Sequence, residues 1–189
     1  MPPTTRQKAL QEARALVQIF GLNGFSFQHV ADRVGIKKPS LYEHFKSKDD
    51  LAICIIKDWR EKFLEWSETV EVFSADQKIA ALFEKFCIFA DDKSKVCPLT
   101  AMTAEINGFS PEIRQELKAT CDTQLAWLDR TIAQGQATGL FRTDLPCADM
   151  ASFIIVLIFG GQMASRIRGN ADSIKAVKGQ ALDYLKAKI

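Results

Sequence analysis

Apolar residues recur along nearly the whole chain at spacings of three and four, and no stretch alternates convincingly with period two, so the pattern predicts helices throughout. Ala9, Ala13, Leu16, Val17 and Phe20 form one stripe, closed by Gly21 and Gly24. A short helix is expected from Phe27 to Val34, with Ser26 as its cap and Gly35 as its break. Another is expected from about Lys38 to Phe45. Ser47-Lys48-Asp49-Asp50 is a capping box that opens a long helix striped by Leu51, Ile55, Trp59, Phe63 and Trp66. Ser74-Ala75-Asp76-Gln77 repeats that logic ahead of Ile79, Leu82, Phe83, Phe86 and Phe89.

The polar stretch from Asp91 to Lys95 reads as a loop, and Pro98 starts the next helix. Ser110-Pro111 places a cap before a first-turn proline, opening a helix on Ile113, Leu117, Cys121, Leu125, Leu128 and Ile132. Pro146 opens an apolar helix that ends near Gly169, and Asn170 caps a last one with Ile174, Val177, Ala181 and Leu185 on one face. The expected fold class is all-α: about nine helices and no sheet, divided into a head over residues 1–48 and a body over residues 49–189.

Composition changes this picture little and charge changes it more. The 189 residues are 47% hydrophobic and 25% charged, ordinary for a globular protein. The net charge is only +2, but residues 1–48 carry eight Lys and Arg against Glu12, Asp32 and Glu43, leaving that segment at +5 and the remainder at −3. A basic head on a mildly acidic body suits an anionic partner at one end; uneven surface charge is the plainer reading.

Cys54, Cys87, Cys97, Cys121 and Cys147 show no metal-like clustering, and the opening Met1-Pro2-Pro3 does not resemble a signal peptide. Reduced thiols in the cytoplasm, with no metal and no cofactor, are the expectation. The run from Met150 to Gly161 is too short to cross a bilayer and reads as a core or interface helix, so no membrane partner is expected.

Residues 26–45 carry the most information. Two short helices meet around a glycine turn, with Ala31 small enough for the crossing and Gly35 permitting positive φ. Val30, Val34, Ile36, Leu41 and Phe45 are expected to face one another as a small core. These demands together describe a helix-turn-helix, whose second helix enters the major groove of DNA. Lys37, Lys38, Ser40, Tyr42 and Glu43 are candidates to face that groove. Ser26, Gln28, His44 and Lys48 are better placed for phosphates, where cations and helix N-termini help. For Tyr42 a core aromatic with a wet hydroxyl is the alternative, for His44 a core or solvated histidine, and for Glu43 a solvated carboxylate.

The run Gly35-Ile36-Lys37-Lys38-Pro39-Ser40-Leu41-Tyr42-Glu43-His44-Phe45-Lys46-Ser47-Lys48-Asp49-Asp50-Leu51 resembles the signature of TetR-family regulators. Leu41, Tyr42, His44, Phe45 and Lys48 match its Leu-Tyr-x-His-Phe-x-x-Lys pattern, and the likeness holds over about residues 5–55. Two positions depart from it. Lys37 stands where a small hydroxyl residue is frequent, and Glu43 where neutral or basic residues are usual; Glu43 could accept from a cytosine amino group.

The resemblance implies a dimeric repressor that binds double-stranded operator DNA and is released by a small-molecule effector. It also implies dimerisation through the last two helices, for which Phe153, Ile155, Phe159, Gly160, Ile174, Val177, Ala181 and Leu185 are the candidates. The sequence adds that so apolar a helix needs cover nearly all round, from a partner or from its own core, and that Gly160, Gly161 and Ala164 permit close approach. Trp66, Phe83, Phe86, Phe89, Met102, Trp127 and Phe159 are candidates for an apolar cavity, with Glu105 or Gln124 to orient a ligand; plain core is the alternative for each.

Cys97 follows Lys93 and Lys95 and precedes a helix start, which favours thiolate, so it is the cysteine expected to react first if any is functional. Some TetR-like bodies have a Gly-Cys pair near this point; here Val96 replaces the glycine. The remaining alternatives are a DNA-binding module without a ligand, a thiol sensor acting through Cys97, and an enzyme. For the last, no phosphate loop or metal-ligand cluster is present, and both histidines, His29 and His44, fall in the head.

Overall fold

Helices begin where a side chain can satisfy the exposed N–H groups of a first turn. Thr4 and Gln7 exchange side-chain-to-backbone hydrogen bonds of 3.2 and 2.8 Å ahead of α1, Thr5–Phe20. Ser26 precedes α2, Phe27–Val34, and its N–H donates to His29 Nδ1 at 3.3 Å. Helix α3, Lys38–Tyr42, starts from Lys37 without a side-chain cap. Ser47 Oγ accepts from the Asp50 N–H at 3.1 Å to open α4, Lys48–Thr69. The Ser74 N–H donates to Gln77 Oε1 at 3.1 Å ahead of α5, Ala75–Asp91. Helix α6, Pro98–Thr103, and a 3₁₀ turn at Ile106–Gly108 lead to α7, Pro111–Ala137. Helices α8, Cys147–Arg168, and α9, Asp172–Leu185, complete the order.

The computed structural model describes residues 2–91 and 95–187. The fold is all-α, and among the described residues the one extended pairing is an isolated bridge between Phe141 and Lys186. Lys93, invoked beside Cys97, lies outside the described residues.

Contacts divide the chain into two units, drawn differently from a simple boundary after residue 48. The first joins Met1–Glu61 to Cys97–Thr120; the second joins Lys62–Val96 to Cys121–Ile189. In the first, α1 packs on α2 and α6, and α2 on α3. Ala9, Ala13, Leu16, Val17, Val30, Ala31, Leu41 and Phe45 are buried there. Val34 and Ile36 are only half-buried, and Phe20, on the expected stripe of α1, is 53% exposed.

In the second unit α8 and α9 pack on each other and both pack on α5. This packing revises which apolar residues remain for a partner. Ile155, Ile174, Ala181 and Leu185 are buried within their own unit, so they are core residues in this chain rather than interface. Val177 and Phe159 are half-buried. Gly161 accounts for the close helix approach: a Cβ there would lie 3.2 Å from the Ile174 backbone and 3.2 Å from Val177 Cγ2. Gly160 faces the other way, with nothing near the position a Cβ would take.

Among the residues α8 leaves exposed, Phe153, Val156, Gly160, Met163 and Ile167 form a stripe spaced by three and four residues. That is the seam pattern two helices use when they pack lengthwise. Phe153 also meets Tyr184 of α9, ring centroids 4.2 Å apart. The whole of α8 has 22 residues and is long and apolar enough to cross a membrane by length and composition, unlike the shorter run read from the sequence. Its apolarity on two sides has a local cause: one side is buried on α5 and α9, and the other is the exposed stripe.

Candidate nucleic-acid interface

Gly35 ends α2 in the left-handed region at φ +77°, and the N–H groups of Gly35 and Ile36 both donate to Ala31 O, at 2.9 and 3.0 Å. Nothing crowds the position of a Cβ on Gly35, so backbone conformation alone calls for glycine there. The turn leads into α3 with Leu41 fully buried as its anchor. The remaining side chains of α3 are thereby turned outward.

Of the nine residues expected to meet DNA, Ser26, Gln28, Lys37, Lys38, Tyr42 and Glu43 are exposed, and Ser40, His44 and Lys48 are half-buried. Tyr42 is both packed and wet: its ring sits 5.0 Å from that of Phe27 while 53% of the residue remains exposed. His44 stands edge-on to Phe45 at 6.5 Å. Gln28 Nε2 donates to Asp32 Oδ1 at 2.6 Å along the surface of α2, a bond it would exchange to reach a phosphate.

An open depression of about 370 Å³ brings four of the nine together, lined by Phe25, Ser26, Phe27, Lys38, Tyr42, Lys46, Ser47 and Lys48. The first turns of α2 and α4 both border it, through Ser26 and Ser47. Three lysines and two helix N-termini border one hollow, a setting suited to phosphate, with the Asp50 carboxylate on the Lys46 N–H at 2.9 Å as an opposing charge. Lys46 and Ser47 were not among the expected contacts. Their signal was present, since the capping box that opens α4 also presents the N-terminus of that helix.

Lys48 is more committed than an exposed phosphate ligand. Its ammonium donates to Phe25 O at 2.6 Å and lies 5.1 Å from the centroid of the Phe25 ring. Burial pushes its pKa down, while the Glu105 and Asp49 carboxylates pull it back up. Lys48 therefore clamps the α1–α2 loop as well as adding charge to the hollow.

Glu105 has a comparable task and does not point into an apolar cavity. Its Oε2 accepts the Asn23 N–H at 3.0 Å, and its Oε1 lies against Gly21, 2.3 Å from where a Cβ would stand. The residue ties the segment after α6 to the loop between α1 and α2. Met102 is fully buried in the same unit.

Cys97 is fully buried too, and it caps α6: Sγ accepts the Thr100 N–H at 3.3 Å and lies 3.0 Å from Thr100 Oγ1. A cap within a core is shielded from external electrophiles, which opposes the reactivity expected from the lysines and the helix start. Cys54, Cys121 and Cys147 are half-buried and better placed to meet a reagent.

The other ligand candidates lie in the second unit. Phe83, Phe86, Gln124 and Trp127 are buried, and Trp66, Phe89 and Phe159 are less so. Trp66 and Trp127 cluster with Phe63, edge-on and tilted, ring centroids 5.3 to 5.9 Å apart. Of these candidates only Trp127 lines the largest cavity described in that unit, beside Lys78, Arg130 and Gln134, which the sequence reading missed. A buried lysine next to Ile79 on an otherwise apolar stripe leaves no periodic signal.

Comparison with known proteins adds a consistent set of likenesses. Residues 9–53 match the family described as "Bacterial regulatory proteins, tetR family", and residues 75–180 match "Tetracyclin repressor-like, C-terminal domain". The chain is 26% identical over 147 residues to the Fatty acid metabolism regulator protein of Bacillus subtilis, covering 74% of each. It is 22% identical over 183 residues to the HTH-type transcriptional repressor ComR of Escherichia coli, covering 94% of this chain and 87% of that one. In fold it is similar to a TetR-family transcriptional regulator from Agrobacterium tumefaciens, with TM-score 0.91 at 22% identity over 97% of this chain and 98% of that one.

Proposed function

Given that the chain belongs to the tetR family of bacterial regulatory proteins, matched at both its N-terminal and C-terminal parts, we propose that it is a repressor that binds a palindromic operator as a homodimer and is released by a small organic effector. The observation that carries the DNA-binding part is the hollow bordered by Lys38, Lys46 and Lys48 and by the first turns of α2 and α4. Phosphates seated there fix the head on the duplex, while Lys37, Ser40, Tyr42 and Glu43 are left to meet base edges. Ser26 and Gln28 add phosphate contacts from the start of α2, and His44 one beside Phe45.

The homodimer is supported by the exposed stripe of α8 from Phe153 to Ile167. A two-fold partner laying the same stripe against it covers Val156, Met163 and Ile167, and Gly160 lets the two backbones approach. Two heads then face two half-sites, which is why the operator is expected to be palindromic. A regulator of this kind works beside the chromosome, so the chain is placed in the cytoplasm with its cysteines reduced. No catalytic role is assigned to it.

The test is fluorescence anisotropy of labelled operator DNA against salt. A dimer neutralising about eight phosphates gives a log–log slope near −7. Affinity that ignores salt would contradict the assignment.

A further inference from the structure

The second unit contains a cavity of about 560 Å³ bordered by the end of α4, the start of α5 and the C-terminal half of α7. Its size is that of a site for a small organic molecule. One wall is apolar: Trp127, 4% exposed, backed by Trp66 and Phe63. The rest is polar, with Lys78 and Arg130 as cations and Glu68 and Glu71 as anions.

These charges balance in number and not in setting. The side chain of Lys78 is 2% exposed, and its ammonium is held by Glu71 Oε1 and Gln134 Oε1, each at 3.0 Å. The side chain of Glu71 is 71% exposed, in the turn after α4. A buried ammonium cannot do without an anionic partner, whereas an exposed carboxylate can return to water at little cost. Arg130 is exposed and lines the same cavity, with no carboxylate within ion-pair distance among the described residues. An incoming anion can therefore take the place of Glu71 and gain a second cation.

Farther along α7, Gln124 shares a face with Trp127, Thr131 and Gln134 by spacing. It is 1% exposed, and neither its Nε2 nor its Oε1 has a hydrogen-bond partner. Leaving such an amide unsatisfied costs about 1–3 kcal/mol per group, so a native partner is expected for it. By the helical rise, Gln124 lies about 15 Å along the axis from Gln134.

We propose that this cavity binds an elongated organic acid: its anionic head displaces Glu71 from Lys78 and meets Arg130, its body lies on the Trp127 indole, and a hydrogen-bonding group at its far end meets Gln124. The proposal rests on the effector-responsive reading above and names the chemical class of the effector.

Calorimetric titration of the full chain without DNA tests it, using dodecanoate, dodecanol and ω-hydroxydodecanoate as probes. Dodecanoate should bind at least about tenfold more tightly than dodecanol, the size of one charge-assisted hydrogen bond. Arg130→Gln, at an exposed site where folding is not at risk, should remove most of that difference, and Lys78→Met should do the same. Glu71→Gln should strengthen dodecanoate several-fold and leave dodecanol unchanged, because it removes the competing carboxylate. ω-Hydroxydodecanoate should bind more tightly than dodecanoate to the wild type and no more tightly to Gln124→Leu.

Equal affinity for dodecanoate and dodecanol, or weaker dodecanoate binding in Glu71→Gln, would overturn the site. An ω-hydroxyl that makes no difference to the wild type would overturn the role of Gln124. Operator affinity measured without any probe is independent of these results. Failed titrations with intact DNA binding reject this site alone, and absent DNA binding rejects the regulator reading itself.

Discussion

The helix-turn-helix and α8 each present an outward stripe, and the two stripes call for opposite partners. Around α2 and α3 the outward residues include lysines, hydroxyls, an amide and the Glu43 carboxylate, bordered by helix N-termini, with Leu41 as the inward anchor. Along α8 the outward residues are Phe153, Val156, Met163 and Ile167, with Ile154, Ile155 and Ile158 as the inward ones. The first surface attracts an anion and tolerates water until it arrives. The second is stabilised only by losing water, at about 25 cal/mol per Å² of apolar area covered. Binding at the first should therefore depend on salt, and association at the second should depend on shape and apolar area.

The largest effect expected from breaking this contrast is at α8. Val156→Asp places a charge on the outward stripe, and the chain should become a folded, soluble monomer whose melting temperature drops only by what dimerisation contributed. Its operator affinity should fall by about 4 kcal/mol or more, because each head then binds its half-site alone and the linkage gain of two sites is lost. Ile155→Asp buries the same charge inside the unit, costs several kcal/mol of stability and should yield insoluble protein. Sedimentation and thermal melts separate the two outcomes. A Val156→Asp chain that stays dimeric at micromolar concentration would remove the stripe from the account.

At the head the expected effects are smaller. Tyr42→Ala should weaken operator binding by about 1–3 kcal/mol while leaving the salt slope nearly unchanged. Lys46→Ala should do the reverse, lowering the slope by about two, one contact from each head of the dimer, and weakening all sequences alike. Lys48→Ala should weaken binding and also lower the melting temperature, because its ammonium holds Phe25 O. An unchanged melt would mean that the clamp contributes nothing. Gly35→Ala forces an L residue to φ +77° and should cost about 1–2 kcal/mol of stability with the DNA-facing side chains intact.

The smallest effect concerns the cysteines. Alkylation should reach Cys54, Cys121 and Cys147 before the buried Cys87 and Cys97. Burial pushes the thiols of Cys54 and Cys147 above the ordinary range, so both are neutral at pH 7 and their labelling should accelerate only as pH rises beyond that of an unperturbed thiol. Fast labelling of Cys97 at neutral pH, followed by release of DNA, would restore the thiol-sensing alternative.

The legibility of the two regions differs for a physical reason. The helix-turn-helix is specified within twenty-odd residues by a cap, a small residue, a glycine and a spacing of apolar positions, all of them local. Helix α8 is apolar nearly all round, so its periodicity cannot say whether Ile155 or Val156 faces inward. That choice is made by Gly161 docking on Ile174 and Val177. Long-range polar pairings were equally silent: Glu105 holds the Asn23 N–H across 82 positions of sequence. Lys78 is buried because Gln134, on another helix, meets its ammonium. The hollow at the head was half legible, because Lys38, Tyr42 and Lys48 stand in the motif whereas Lys46 and Ser47 enter it only through the start of α4.

On the proposed function, two copies of this chain read one DNA duplex through paired helix-turn-helix heads. Selection of DNA from a random pool by the full-length protein, followed by sequencing, addresses it most directly. One two-fold symmetric sequence should be enriched, with half-site centres about one helical turn or a multiple of it apart, and that enrichment should be lost in Val156→Asp. Enrichment of an asymmetric site, or of no sequence at all, would contradict it.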